Sequence, residues 1–95
     1  MRDDEFEWDD RKAARNLREH DVDFDTARRA FNDLCVVWLD DDRLDYGEDR
    51  YNILGVVDSR LLHVTCTITG ERTRIISARG EEPYEHRLYH EESEI

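Results

Sequence analysis

The longest apolar run in the chain, Leu34-Cys35-Val36-Val37-Trp38-Leu39, is six residues long. It suits a buried strand and falls far short of the roughly 20 residues that cross a bilayer as a helix. Three further runs of strand length follow, at 50–57, 61–69 and 72–78. Asp58-Ser59-Arg60 and Thr69-Gly70-Glu71 separate them and are short enough for hairpin turns, so the four runs predict an antiparallel meander. Residues 40–48, with Gly47, read as an acidic loop. Upstream, Phe6-Glu7-Trp8 alternates as a short strand does. Ala13, Ala14 and Leu17 make a narrow apolar stripe over 10–19, with Asp9 or Asp10 as N-cap. Phe24, Ala27, Ala30 and Phe31 recur at helical spacing behind Asp23 or Asp25. Pro83 opens a last helix, with Leu88 and Tyr84 or Tyr89 turned inward. The predicted order is β-α-α-β-β-β-β-α, an α+β domain in which two N-terminal helices and one C-terminal helix accompany a four-stranded antiparallel meander.

With 95 residues, the chain is expected to form one domain over 1–95. Charged residues make up 41% and mean hydropathy is −0.91, which alone points toward disorder. Two Trp, four Tyr and three Phe argue for a packed fold instead. Trp8 and Trp38 read as core aromatics. Cys35 and Cys66 fall in predicted strands and read as buried free thiols of a cytoplasmic protein. The acidic start MRDDEFEWDD has no apolar segment, so no signal peptide is expected.

Carboxylates number 25 against 13 Arg and a single lysine, Lys12, for a net charge of −11. Such a surface suits a salty interior, where at 1 M the Debye length is about 3 Å and self-repulsion is quenched. A halophilic source is one explanation; an ordinary acidic surface is the other. The charge is uneven. Residues 50–80 carry five Arg against Asp58 and Glu71, net +3, while both flanks are acidic. Any polyanion should be met in that middle segment.

Strand periodicity puts 72, 74, 76 and 78 on one face and 73, 75, 77 and 79 on the other. A regular strand therefore separates Arg74 from Arg79. Gly80 can swing Arg79 to the rim, where its planar fork can grip a phosphate or pair with one of many nearby carboxylates. His63 alternates with Leu62 and Val64; it is a candidate general base or a half-buried, satisfied histidine. His86 and His90 are four apart on a helix, but two ligands make no metal site, and no metal or cofactor is expected. His20 suits the C-terminal end of the first helix. Glycine-rich phosphate loops, Cys-x-x-Cys pairs and G-x-S-x-G are all absent from the sequence.

The stretch Phe6-Glu7-Trp8-Asp9-x-x-Lys12-x-x-x-Asn16-x-x-x-His20-x-Val22-x-Phe24-x-x-Ala27 resembles the opening of BrnT toxins. Residues 50–55, Leu61-Leu62-x-Val64-x-x-Thr67, Arg74-Ile75-Ile76-Ser77-Ala78-Arg79 and Glu85-x-x-x-Tyr89 are similar to the rest of that family, in order. The likeness spans about 6–91 and leaves an acidic tail at 91–95. It implies a fold like RelE ribonucleases and a type II toxin that cleaves RNA without metal and slows translation. It also implies a BrnA-type ribbon-helix-helix antitoxin, a toxin–antitoxin heterotetramer, and contact with operator DNA only through that antitoxin. On this likeness Arg79 and Arg74 are the leading phosphate contacts, and Arg50 and Arg72 support them. Lys12 and His20 add RNA contacts, and His63 or Glu71 takes the 2′ proton. Two departures stand out. The family's usual arginine-rich continuation is here Gly80-Glu81-Glu82-Pro83-Tyr84, and Asp21 stands where glycine is usual. The first implies either a surface remodelled for salt with activity intact, or a copy that binds antitoxin and cleaves RNA poorly.

Overall fold

In the computed structural model, which describes residues 1–39 and 50–93, Asp9 opens the first helix. Its carboxylate accepts from the main-chain N–H groups of Arg11 and Lys12, donors that a helix start leaves unpaired. Helix α1 runs Asp10–His20 and ends at Asp21, whose backbone is left-handed, with φ 57° and ψ 35°. The residue replacing the usual glycine thus sits in the conformation that glycine adopts most cheaply. Asp23 caps α2 (Phe24–Ala27) through the Thr26 N–H at 2.6 Å. The chain then tightens into a 3-10 helix, Arg28–Asn32. The single second helix expected from the spacing is therefore two short pieces. A Cβ on Gly55 would meet the Ala30 carbonyl oxygen at 2.4 Å, so the second piece rests directly on strand backbone there.

Among the described residues the sheet has five strands: β1 (Phe6–Glu7), β2 (Val37–Leu39), β3 (Tyr51–Val57), β4 (Arg60–Thr69) and β5 (Arg72–Gly80), in the order β1-β5-β4-β3-β2. The predicted meander is present as β2 to β5. The expected short strand β1 joins this sheet, pairing parallel with β5 through Phe6↔Thr73 and Glu7↔Arg74. Asp58 and Ser59 both take positive φ between β3 and β4, as a two-residue hairpin turn requires.

Strand β2 is shorter than the six-residue run. Asp33 accepts from the N–H of Cys35 and its carbonyl from that of Val36, so the chain is still turning there. Leu34 and Cys35 are exposed, while Cys66 is buried. The expectation of two buried thiols therefore holds only for Cys66, whose thiol burial pushes up to about 11. Trp8 is a core residue, packed edge-on against Phe24. Trp38 is not: it lies on the edge strand, 52% exposed, between the rings of Phe31 and Tyr51. The predicted loop at 40–48 lies outside the described residues.

One irregularity sets both faces of the sheet. Thr65 pairs with Ser77, but Cys66 pairs with Ile75, so Ile76 is an extra residue in β5. This bulge breaks the alternation expected for a regular strand. Ile75 and Ala78 both enter the main core, with Trp8, Phe24, Ile53 and Val64, beneath α1 and α2. Arg74, Ser77 and Arg79 consequently share the opposite face. On that side lies α3 (Pro83–Ser93), which begins at the expected proline. Its Leu88 and Tyr89 pack on a smaller cluster of Val37, Leu54 and Leu61, and Tyr84 is exposed.

Of the predicted apolar stripe only Ala13 packs on the core, while Ala14 and Leu17 are exposed. Buried Asn16 also docks the helix. Its Nδ2 donates to the carbonyls of Val22 and Ala78 at 2.9 and 2.8 Å, and its Oδ1 accepts from the Ala78 N–H at 3.0 Å. One side chain thus supplies the pairing a neighbouring strand would give Ala78. Asn16→Ala strands these buried groups and should cost about 3 kcal/mol in denaturant unfolding. Asp21→Gly should act the other way, raising stability by about 0.5–1 kcal/mol by relieving the left-handed backbone.

Candidate active site

In the β4–β5 ladder, His63 stands opposite Arg79. Both point to the α3 side, and the first turn of α3 lies over them. Pro83 starts that helix, so Glu85 occupies its third position, from which a side chain can reach back to the residue before the helix. Glu85 does so: Oε1 accepts from the Glu82 N–H at 2.9 Å. The same carboxylate takes a two-pronged contact from Arg79, Nη1 to Oε1 at 2.8 Å and Nη2 to Oε2 at 3.0 Å. His63 Nε2 is 3.7 Å from Oε2, an ion-pair distance rather than a hydrogen bond. Glu85 has no exposed surface, whereas the Arg79 side chain is 30% and His63 15% exposed.

The electrostatics follow from this packing. Burial alone would raise the Glu85 carboxyl. The Arg79 hydrogen bonds, the Glu82 N–H and the charges of His63 and Arg79 outweigh it, and hold the group below its usual range. Burial is also the largest influence on His63 and lowers it. Glu85 pulls the other way and Arg79 adds to the lowering, so the imidazole titrates below 6.5. The pair therefore offers a cation beside a neutral imidazole at neutral pH. Arg79 is in turn raised, first by its hydrogen bonds to Glu85.

Beyond the cover of α3, the same face continues with Asn52, Thr65 and Ser77, and then Thr67 and Arg74. Thr65 Oγ1 donates to Asn52 Oδ1 at 2.6 Å, and Arg74 Nη1 meets Glu7 Oε2 at 3.1 Å. The bulge thus brings Arg74 and Arg79 onto one face, contrary to the regular-strand expectation. Arg50 is half-buried just before β3.

The other sequence candidates do not join them. Glu71 sits in the β4–β5 turn and Arg72 beside it, six residues along β4 from His63, or about 20 Å. Arg72 Nε donates to the Asp3 carbonyl at 2.7 Å. Lys12 and His20 are exposed on α1, across the sheet from α3. His86 and His90 stack edge to face on the outside of α3, and His86 Nδ1 meets Glu81 Oε2 at 2.9 Å. Among the described residues, no group of three His, Cys, Asp or Glu side chains is placed to hold a metal ion. No helix among them is long and apolar enough to cross a membrane. A cleft of about 500 Å³ lies elsewhere, lined by Asp3, Asp4, Glu5, Phe6, Arg28, Arg29 and Asn32, and contains none of these candidates.

Sequence reasoning missed Glu85 as a site residue. The signal was present: Pro83 fixes the helix start, and Glu85 and Tyr89 are four apart, hence on one face. Tyr89 shows the same logic. Its hydroxyl donates to Asp33 Oδ2 at 2.6 Å, and burial followed by this bond pushes the phenol up to about 12.

A sequence profile of the family described as "Ribonuclease toxin, BrnT, of type II toxin-antitoxin system" matches residues 8–85. The chain belongs to the BrnT family. No curated protein matches it. The BrnT match runs from Trp8 of the core to Glu85 of the site and takes in His63, Arg74 and Arg79. As a type II toxin the BrnT chain is a ribonuclease toxin by family and has an antitoxin as its partner.

His63 and Glu85 also make the fold sensitive to acid. Both titrate lower folded than unfolded, so the unfolded chain binds protons more readily and stability falls as pH falls. The His63 contribution is complete above its ordinary 6.5 and is lost below it; that of Glu85 is lost below 4.5. Urea midpoints measured from pH 8 downward should therefore decline in two stages. His63→Gln should flatten the first stage and leave the second.

Proposed function

We propose that this chain is a metal-independent endoribonuclease toxin that cleaves RNA from the α3 face of its sheet and so slows translation. The observation that carries the reading is the cross-strand pair of His63 and Arg79, on one polar face with Arg74, in a chain of the BrnT family. We read the fold as RelE-like. A BrnA-like ribbon-helix-helix antitoxin neutralises the toxin in the cytoplasm, in a heterotetramer, and is the only contact with operator DNA.

The reaction needs no cofactor. The ribose 2′-oxygen attacks the adjacent phosphorus, the bond from phosphorus to the 5′-oxygen breaks, and the leaving 5′-oxygen takes a proton from water, so that a 2′,3′-cyclic phosphate and a 5′-hydroxyl result. Arg79 stabilises the charge that develops on the phosphoryl oxygens, and Arg74 holds a neighbouring phosphate. Neutral His63 accepts the 2′ proton. It suits this role better than Glu71, which lies at the far end of the hairpin. Arg50 stands beside the same face, whereas Arg72, Lys12 and His20 lie away from it.

A second reading has its own support. Exposed Glu81 and Glu82 flank Arg79, and the guanidinium is already held by a carboxylate. Both features fit a catalytically weak relative that serves as an antitoxin-binding co-repressor module.

Cleavage of a labelled RNA across about 0.1–3 M KCl separates the two. Arg79→Ala should lower the rate by about 10²–10³-fold, and excess chelator should leave it unchanged. Folded protein that cleaves at no salt concentration leaves the co-repressor reading.

A further inference from the structure

A guanidinium has two edges that can grip an oxyanion: the end formed by Nη1 and Nη2, and the side formed by Nε and Nη2. In Arg79 the end is filled by both oxygens of Glu85, and the other N–H of Nη1 reaches the Gly80 carbonyl at 3.1 Å. The Nε–H and the second N–H of Nη2 remain. Among the described residues neither has an acceptor, and the side chain is 30% exposed. Glu85 cannot readily move away. It is fully buried, and it caps the helix that carries it. The helix is moored farther along by Tyr89 on Asp33, which also accepts from the Val56 N–H of β3.

We infer that Glu85 is a positioning residue: it occupies the end of the Arg79 guanidinium and so presents the Nε/Nη2 side, at a fixed angle, to an RNA phosphate. The inference rests on the ribonuclease reading above and extends it to a residue on a different element. A guanidinium free to rotate would spend binding free energy on being ordered, whereas a clamped one meets the phosphate already oriented. The clamp has a second consequence. The charges nearest His63 are Glu85 and Glu82 from the α3 side and Arg79 from β5, so Glu85 also sets how readily His63 takes up a proton.

The test is a double-mutant cycle with Glu85→Gln and Arg79→Ala. Its readouts are cleavage of RNA and binding of a 2′-O-methyl RNA oligonucleotide, which cannot react. Glu85→Gln is nearly isosteric and keeps an acceptor for the Glu82 N–H. It should slow cleavage by about 10²-fold and weaken oligonucleotide binding by about 10-fold, the cost of a loosened contact. In the Arg79→Ala background it should do neither. In the single variant, NMR titration should find His63 protonating at lower pH than in wild type, a shift that mere loosening of α3 would not give. Glu85→Asp, which keeps the charge and shortens the reach, serves if the glutamine variant fails to fold, and should show a smaller loss that again vanishes without Arg79. Losses that add in the double variant would mean Glu85 acts on RNA itself. Tighter binding by Glu85→Gln would mean it masks Arg79. Either result, or no change, overturns the inference alone. Wild-type protein that neither cleaves nor binds overturns the ribonuclease reading, and the inference with it.

Discussion

The rest of the structure depends on the extra residue at Ile76. The segment from Ile75 to Arg79 must serve two layers at once. Ile75 and Ala78 are needed under α1, where Asn16 reads both polar groups of the Ala78 backbone. Arg79 is needed under α3, opposite His63. A regular strand cannot satisfy both, because residues three apart fall on opposite faces. The bulge shifts the parity once, and the shift is sufficient. It also places Arg74 with Arg79, so a single local defect in the ladder assembles the cationic face.

Glu85 then links that face to the C-terminal helix. Burying a carboxylate is costly, and its contacts here offset that cost: two prongs from Arg79 and one main-chain N–H, with His63 beside them. The arrangement explains how α3 docks with so few apolar groups. Leu88 and Tyr89 supply the apolar contact at the middle of the helix. Its first turn is held by charge and geometry instead. The docking of α3 and the proposed site therefore share one ion pair.

Much of this was legible in the sequence, and the misses have a common form. Strands β3, β4 and β5, the Asp58-Ser59 turn, the cap at Asp9 and the start at Pro83 are set by neighbours within a few residues, and each was readable. The bulge was not, because nothing in Ile75-Ile76-Ser77 marks where a partner strand will skip a residue. Strand β1 was readable as a strand but not as the parallel neighbour of β5, a pairing between residues 67 apart. The six-residue apolar run looked wholly buried, yet Asp33 turns its first residues outward. In the candidate site, His63 and Arg79 were named from type and position, and the ladder sets them opposite each other. Glu85 was overlooked because a glutamate in an acidic tail looks like solvated surface until the face it occupies is known.

The acidic composition and a cationic site are compatible once distance is considered. Net charge of −11 acts on RNA through the solvent, over a Debye length that shrinks from about 10 Å at 0.1 M to 3 Å at 1 M salt. On the ribonuclease reading, the phosphate contacts proposed for Arg79 and Arg74 act at about 3 Å and survive that screening far better. Salt also weakens them, through counterion exchange, but with only two phosphates held on a single strand the logarithmic slope is about −1.4. A basic protein with eight such contacts would lose affinity four times as steeply.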